Sequence, residues 1–139
     1  MFRLWNHERL HQIIARDIQN MKLCMIGTGY VGLVSGVCFS DLGNEVICVD
    51  KNIDKISKLK RGIMPIYEPG LSELVKKNYK AKRLTFTANI SEAVRQSNLI
   101  FLCVGTPTKK NTNAADLSQI FEAAKDISRN IKSSKIIIT

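Results

Sequence analysis

The stretch LCMIGTGYVGLVSGVCFSDLGN, residues 23–44, decides the fold. Its first four residues, LCMI, form a continuous apolar run, which predicts a strand that is buried on both faces. Three glycines follow in the pattern G-x-G-x-x-G, as GTGYVG at residues 27–32. The apolar residues from Val31 to Leu42 then predict a helix, which ends at Gly43 and Asn44 because both tolerate a left-handed backbone. The segment therefore predicts a strand, a glycine turn and a helix.

Outward from this segment, predicted strands and helices continue to alternate. The further strands are predicted at residues 45–49 (EVICV), 84–87 (LTFT, which fits a sheet edge), 99–104 (LIFLCV) and 135–139 (KIIIT). The further helices are predicted from a cap at Asn52 to Gly62, from Leu71 to Tyr79, from Ser91 onward and from about Asp116 to Ile131.

This alternation predicts an α/β fold with a doubly wound parallel sheet. Neighbouring parallel strands need a connection that is long enough to cross a face of the sheet, and a helix supplies it. The last predicted element is an Ile-rich strand with no helix after it in this sequence. We therefore expect a sheet that is truncated after its fifth strand.

The glycine pattern is weak evidence alone, but its context is that of a dinucleotide site of the Rossmann type. It follows a predicted strand, opens a predicted helix and is followed 18 residues after Gly32 by Asp50, at the end of the next strand. Gly27 permits the tight turn, Gly29 leaves room for a pyrophosphate against the backbone, and Gly32 lets the helix lie close to the sheet.

The chemistry of this site favours NAD over NADP. Amides near Tyr30 and Val31 point from a helix N-terminus, whose donors and dipole attract an anion. Asp50 can accept hydrogen bonds from both ribose hydroxyls and would repel a 2′-phosphate. Lys55, one helical turn past that acid, could reach the adenosine ribose or phosphate, although an isolated lysine is more often simply solvated.

A second site element is the loop from Val104 to Thr108, VGTPT, which follows the strongest predicted strand. Ligands of open α/β sheets bind outside the carboxyl ends of the strands, where the strand order reverses. Thr106 can offer a hydroxyl and an amide there, next to Gly105, and Pro107 would stiffen the turn.

Composition sets limits on other functions. The 139 residues carry a net charge of +9, of which residues 51–83 contribute +7. Such a stretch could attract nucleic acid, but its lysines recur on the polar faces of two predicted helices, so we expect a solvated surface and no nucleic-acid partner. Residues 23–40 are uncharged, yet their four glycines and polar residues disfavour a membrane span.

The four cysteines, at positions 24, 38, 48 and 103, show no CxxC spacing, and three of them lie in apolar strand-like runs. Such thiols behave as small hydrophobes, so a reducing, cytoplasmic location fits best. Cys103 is nearest the expected nicotinamide end of the site. We do not expect it to be a nucleophile, because a reactive thiolate needs a cationic or helix-terminal setting.

The sequence as a whole closely resembles the UDP-glucose 6-dehydrogenase family, whose broader group includes GDP-mannose dehydrogenases. The segments that carry the resemblance are MKLCMIGTGYVGLVSG, VICVDKNIDKISKLKRG, PIYEPGLSELV, LIFLCVGTPT and AADLS, in that order, from Met21 to Thr139.

The resemblance implies NAD-dependent oxidation of a sugar C6 alcohol to a carboxylate in two hydride transfers. The cofactor contacts that it implies are Gly27, Thr28, Gly29, Tyr30, Val31, Gly32, Asp50, Lys55, Val104, Gly105, Thr106, Pro107 and Thr108. No residue here matches the family's nucleophilic cysteine, its catalytic lysine or its sugar-nucleotide domain. We therefore expect this chain to bind NAD without catalysis, and a UDP-sugar only together with the part that is missing.

The resemblance also divides the chain. Residues 1–20 form an extension of unknown role, and residues 21–139 an NAD-binding Rossmann domain that is incomplete at its C-terminus. The extension contains His7-Glu8-Arg9-Leu10-His11, a literal H-E-x-x-H. Because the chain offers no third histidine, we expect no metal site. An amphipathic helix or unstructured sequence are the alternatives.

The competing function is a free-standing nucleotide sensor, in which NAD or a related nucleotide changes binding to a partner. The sequence leaves the oligomeric state open, a homo-oligomer included. Likewise, it does not determine the choice of sugar.

Overall fold

A computed structural model describes residues 21–110 and 114–139. Its strands are β1 (Lys22–Ile26), β2 (Glu45–Val49), β3 (Leu84–Thr87), β4 (Leu99–Leu102) and β5 (Ile136–Ile138). Its helices are α1 (Tyr30–Asp41), α2 (Ile53–Lys60), α3 (Leu71–Lys80), α4 (Ile90–Gln96) and α5 (Ser118–Asn130).

The five strands form one parallel sheet in the order β3-β2-β1-β4-β5, with helices on both faces. The register places Met25 of β1 opposite Cys48 of β2 on one side and Phe101 of β4 on the other. The predicted doubly wound α/β fold is thus confirmed, and β3 lies at an edge, as expected.

Several element boundaries differ from the prediction by one or two residues, and two of these differences have a local cause. β4 ends at Leu102 because its register partner, Ile26, is the last residue of β1, and the amide of the following residue, Cys103, donates to the Ile26 carbonyl. The last helix begins at Ser118, since the Asp116 carboxylate accepts the amide hydrogen of Ser118 and so turns the backbone outside the helix.

The sheet separates two apolar clusters. The larger cluster includes buried residues of α1, α2 and α3 and of the sheet, among them Met25, Leu33 and Val75. The smaller cluster packs α4 and α5 against the other face and includes Ile100 and Ile127. Burial on both faces explains why β1, the central strand, is apolar without alternation.

The helix ends follow the predicted capping chemistry. Asn52 accepts the amide hydrogen of Lys55 through its side chain at 2.9 Å and so caps α2, as expected. α1 stops where Gly43 adopts a φ of +101°, and the amide of Asn44 donates back to the Phe39 carbonyl.

Part of the apolar surface of the described residues is exposed. Ile136 of β5 is 62% exposed, and Val31 of α1 and Leu42, directly after that helix, are exposed as well. Among residues 21–110 and 114–139, no helix has the length and apolarity that crossing a membrane requires.

The tightest contact in the fold joins α1 to the turn that precedes it. A Cβ built on Gly32 would lie 1.9 Å from the carbonyl oxygen of Gly27 and 2.9 Å from the Cβ of Cys103. Both distances are far below van der Waals contact, and the first involves backbone that cannot rotate away. The role that the sequence assigns to Gly32, close packing of helix on sheet, therefore matches its surroundings.

We expect Gly32→Ala to lower the free energy of unfolding by about 3 kcal/mol or more, because overpacking against backbone forces the helix to move. Urea unfolding measures this change. Gly29→Ala is the matched control, since among the described residues no atom beyond its two chain neighbours lies within 4 Å of the Cβ that it would add. Equal stability of the two variants would contradict the close approach.

Candidate cofactor-binding site

A cleft of about 510 Å³ opens at the carboxyl ends of the strands, where the strand order reverses between β1 and β4. Ile26 and Gly27 line it from the end of β1, and Val49 and Asp50 from the end of β2. This cleft therefore lies at the switch point of the sheet, which is where open α/β folds bind their ligands.

The glycine turn forms the narrow corner of this cleft. Gly27 has a φ of +102°, and a Cβ there would lie 2.6 Å from the carbonyl oxygen of Cys103, so both its conformation and its contacts demand glycine. Gly29 faces open space instead. Within the described residues, no side chain caps the N-terminus of α1, whereas Asn52 and Asn89 cap α2 and α4. The first turn of α1 thus borders space that can receive an anion.

Asp50 is the most constrained acidic side chain at the cleft. Its Oδ2 accepts hydrogen bonds from the Thr28 amide at 3.0 Å, the Thr28 hydroxyl at 2.6 Å and the Lys55 ammonium at 2.9 Å. Its Oδ1 accepts one bond from the Asn52 amide, at 3.0 Å. The carboxylate therefore joins the end of β2 to the glycine turn, and Oδ1 retains acceptor capacity.

Two opposing effects act on the pKa of Asp50. Burial raises it, while the hydrogen bonds from Thr28, Asn52 and Lys55 together lower it more strongly, to about 2. The side chain is only 16% exposed. The group is therefore a carboxylate at neutral pH and an acceptor for hydroxyl hydrogens.

The other predicted site residues near this corner differ in burial and in their contacts with the cleft. Thr28 is fully buried, and its hydroxyl binds Asp50, so its side chain acts through that carboxylate. Tyr30 and Val31 begin α1 and are exposed, with their side chains outside the lining of the cleft. Lys55 lines the cleft as the ion-pair partner of Asp50.

The predicted loop after β4 divides into two parts. Val104 and Gly105 line the cleft, opposite the end of β2. Thr106, Pro107 and Thr108 are exposed and lie farther out, where Thr108 forms an antiparallel bridge with Ala115. The structure thus brings the first two residues together with Asp50 and leaves the last three at the rim.

The sequence reasoning missed one wall of the cleft. Gln119, Glu122, Ala123 and Asp126 line it from one face of α5, at a spacing of three or four residues. Glu122 also forms an ion pair with Lys51 across the mouth. Helical spacing predicts that these residues share a face, but only the packing of α5 on the sheet turns that face toward the ligand.

Cys103 lies at the cleft, but its setting is unreactive. Burial raises the pKa of its thiol, which disfavours the thiolate. The H-E-x-x-H pattern falls in residues 1–20, outside the described residues. In the part of the chain that is described, no three His, Cys, Asp or Glu residues are grouped to hold a metal.

The doubly wound sheet, the glycine turn at its switch point and the acid at the end of β2 define the Rossmann class of dinucleotide-binding domains. Residues 21–139 match the family described as "UDP-glucose/GDP-mannose dehydrogenase family, NAD binding domain". The chain belongs to this family, through its NAD-binding domain.

Relatives and solved structures agree with this assignment. The chain is 50% identical over 119 residues to UDP-glucose 6-dehydrogenase of Rhizobium meliloti (strain 1021), covering 86% of this chain and 27% of that one. It is 51% identical over 117 residues to UDP-glucose 6-dehydrogenase TuaD of Bacillus subtilis (strain 168), with 84% and 25% covered. A ternary complex of GDP-mannose dehydrogenase from Pseudomonas aeruginosa superimposes with a TM-score of 0.78 at 40% identity, with 81% and 26% covered. The chain thus spans about a quarter of the length of the relatives it matches.

We expect Asp50→Asn to lower the free energy of unfolding at pH 7 by about 2 kcal/mol, because a carboxyl pKa reduced from 3.8 to about 2 stabilises the fold by that amount. The stabilisation is complete above pH 4 and is lost as the pH falls toward 2. Urea unfolding of both proteins across this range measures it.

Asp54→Asn is the control, since it removes the same charge from an exposed position in the first turn of α2. Its effect on stability should be small and should not vanish selectively below pH 4. If the free energies of unfolding of the wild type and Asp50→Asn still differ by the same amount at pH 2, the lowered pKa of Asp50 is not the source of the difference.

Proposed function

We propose that this chain binds NAD in the cleft at the switch point and supplies the cofactor-binding part of a nucleotide-sugar dehydrogenase. The observation that carries the proposal is the Asp50 carboxylate, held at the end of β2 beside the open first turn of α1 in one continuous cleft. Membership in the NAD-binding family supports the cofactor.

The glycine corner would receive the diphosphate. Space for it exists beside Gly29, where a side chain would intrude. The amides of the first turn of α1 provide donors and the positive end of the helix dipole. The residues present at this corner therefore fit the diphosphate of a dinucleotide.

Asp50 would bind the adenosine ribose. Of its two oxygens, Oδ2 already accepts three hydrogen bonds and Oδ1 accepts one, from the Asn52 amide. Oδ1 is therefore the oxygen that would accept from a ribose hydroxyl. Lys55 holds Oδ2 in place. Because the Lys55 side chain is 29% exposed, solvent screens this ion pair in part.

The same carboxylate would discriminate against NADP. A 2′-phosphate placed at this hydroxyl would bring a second negative charge against Asp50 and would remove the hydroxyl that Asp50 binds. Lys55 is engaged by Asp50 at 2.9 Å, so it is not available to neutralise the phosphate unless that pair breaks. Both effects favour NAD.

For the whole protein, we propose oxidation of a nucleotide sugar, by analogy with relatives that are named UDP-glucose 6-dehydrogenase. Bound NAD supplies the acceptor for hydride in such a reaction. In this proposal the described residues bind and orient the cofactor, and we assign the sugar-nucleotide site to the part of the relatives that this chain does not span. A reducing, cytoplasmic location is part of the proposal, and its support is that all four cysteines are free thiols.

We expect the chain to bind NAD more tightly than NADP and Asp50→Ala to abolish most of that preference. Loss of hydrogen bonds to a charged group costs about 1.5–3 kcal/mol, so NAD affinity should fall roughly 10- to 100-fold. Calorimetric titration with both dinucleotides measures the ratio, which is insensitive to partial unfolding because both ligands meet the same folded fraction. Equal affinity of the wild type for both would refute the role of Asp50.

We expect Gly29→Val to weaken NAD binding by at least roughly tenfold, since branched carbon atoms would fill the space assigned to the diphosphate. As a control, the thermal unfolding temperature of Gly29→Val should stay close to that of the wild type, because the space around a Cβ at this position is open. Normal NAD affinity in the folded variant would place the diphosphate elsewhere.

A further inference from the structure

One side-chain hydrogen bond links the cofactor turn to a distant part of the chain. The Tyr30 hydroxyl donates to the Glu68 carboxylate, across 38 residues of sequence. Tyr30 is the first residue of α1, directly after Gly29, and Glu68 lies in the loop between α2 and α3. The α2–α3 loop is therefore tied to the point where the helix begins.

Glu68 is itself held by its local structure. Its carbonyl accepts the amide hydrogen of Leu71, at 3.1 Å, in a turn where Gly70 has a φ of +79°. Met64 and Ile66, earlier in the same loop, pack against the larger apolar cluster. The loop backbone that carries the Glu68 carboxylate is thus anchored on both sides of that residue.

Packing does not explain the position of Tyr30. The side chain is 55% exposed, so the hydroxyl is fixed by its hydrogen bond and not by burial. That bond also raises the pKa of Tyr30, so the phenol stays neutral and adds no charge beside the anion site. Tyr30 and Glu68 both lie outside the lining of the cleft. Any effect on the cofactor must therefore pass through the backbone.

The N-terminus of α1 needs such support from elsewhere. Within the described residues it has no side-chain cap, and the glycine that precedes it contributes no contact through a side chain. A helix start without a cap frays more readily than a capped one. The Tyr30–Glu68 bond restrains the first turn while leaving its amides available to a ligand.

We propose that Glu68 is a positioning residue for the diphosphate site, acting through the Tyr30 hydroxyl to hold the first turn of α1. This inference rests on the proposed binding of NAD at that turn. It adds a residue from the α2–α3 loop to a site that the glycine motif alone was expected to form.

The test uses the whole chain with Tyr30→Phe, Glu68→Ala and Glu68→Gln. The two variants that remove the bond should each weaken NAD binding roughly three- to tenfold, as expected for loss of one hydrogen bond. Glu68→Gln should retain most of the affinity, because its amide oxygen can accept the same bond. The double variant Tyr30→Phe with Glu68→Ala should bind no more weakly than either single variant.

Adenosine, which lacks the diphosphate, separates positioning from general destabilisation. Its affinity, measured by NMR chemical shifts, should be the same in all variants if Glu68 acts on the diphosphate turn. Equal losses for adenosine and NAD, or wild-type NAD affinity in Glu68→Ala, would overturn the inference. Glu73→Ala, which removes a carboxylate from an exposed position in the first turn of α3, is the control and should bind both ligands normally.

Hydrogen exchange of the chain without ligand tests, independently of NAD binding, whether Glu68 restrains the start of α1. Glu68→Ala should speed exchange of the first hydrogen-bonded amides of α1, at residues 33–35, whereas Glu73→Ala should not. Unchanged exchange in Glu68→Ala would overturn the inference even if NAD binds. Failure of the wild type to bind NAD, with exchange altered as expected, would instead refute the proposed function and leave Glu68 as a restraint on α1 alone.

Discussion

The contact between Gly32 and the Gly27 carbonyl is the constraint on which the rest of the structure depends. With no side chain between them, α1 lies against the turn that precedes it, and its N-terminus stays at the carboxyl ends of the strands. The same turn carries Gly27 close to Cys103, at the end of β4. One run of six residues therefore fixes a helix, two strand ends and the narrow corner of the cleft.

A second link, between Asp50 and Thr28, joins β2 to that corner. Three hydrogen bonds and an ion pair hold a carboxylate in a partly buried place, at the cost of its desolvation. The hydrogen bonds more than offset this cost, as the lowered pKa of Asp50 shows. The bonds that stabilise the fold are thus the ones that keep an acceptor charged and oriented, so stability and ligand recognition share one group.

Local sequence patterns predicted most of the elements because they depend on near neighbours. The cap at Asn52 and the stop at Gly43 need only a short side chain or a positive φ. The apolar β1 and the alternation of strands with helices predicted a parallel sheet. Parts of the site could not be found in this way. The face of α5 and the partner of Tyr30 come from packing across distances of dozens of residues, for which no spacing rule exists.

By itself, the sequence determined the class of the fold, the place of the glycine turn and the acid that ends β2, since each follows from periodicity, backbone freedom or a short motif. The tertiary structure decided which oxygen of Asp50 remains open, that Thr28 serves the carboxylate, and that Glu122 and Asp126 face the same cleft. These properties depend on hydrogen bonds and contacts between segments that are far apart along the chain. Such contacts arise only when the sheet brings the ends of its strands together.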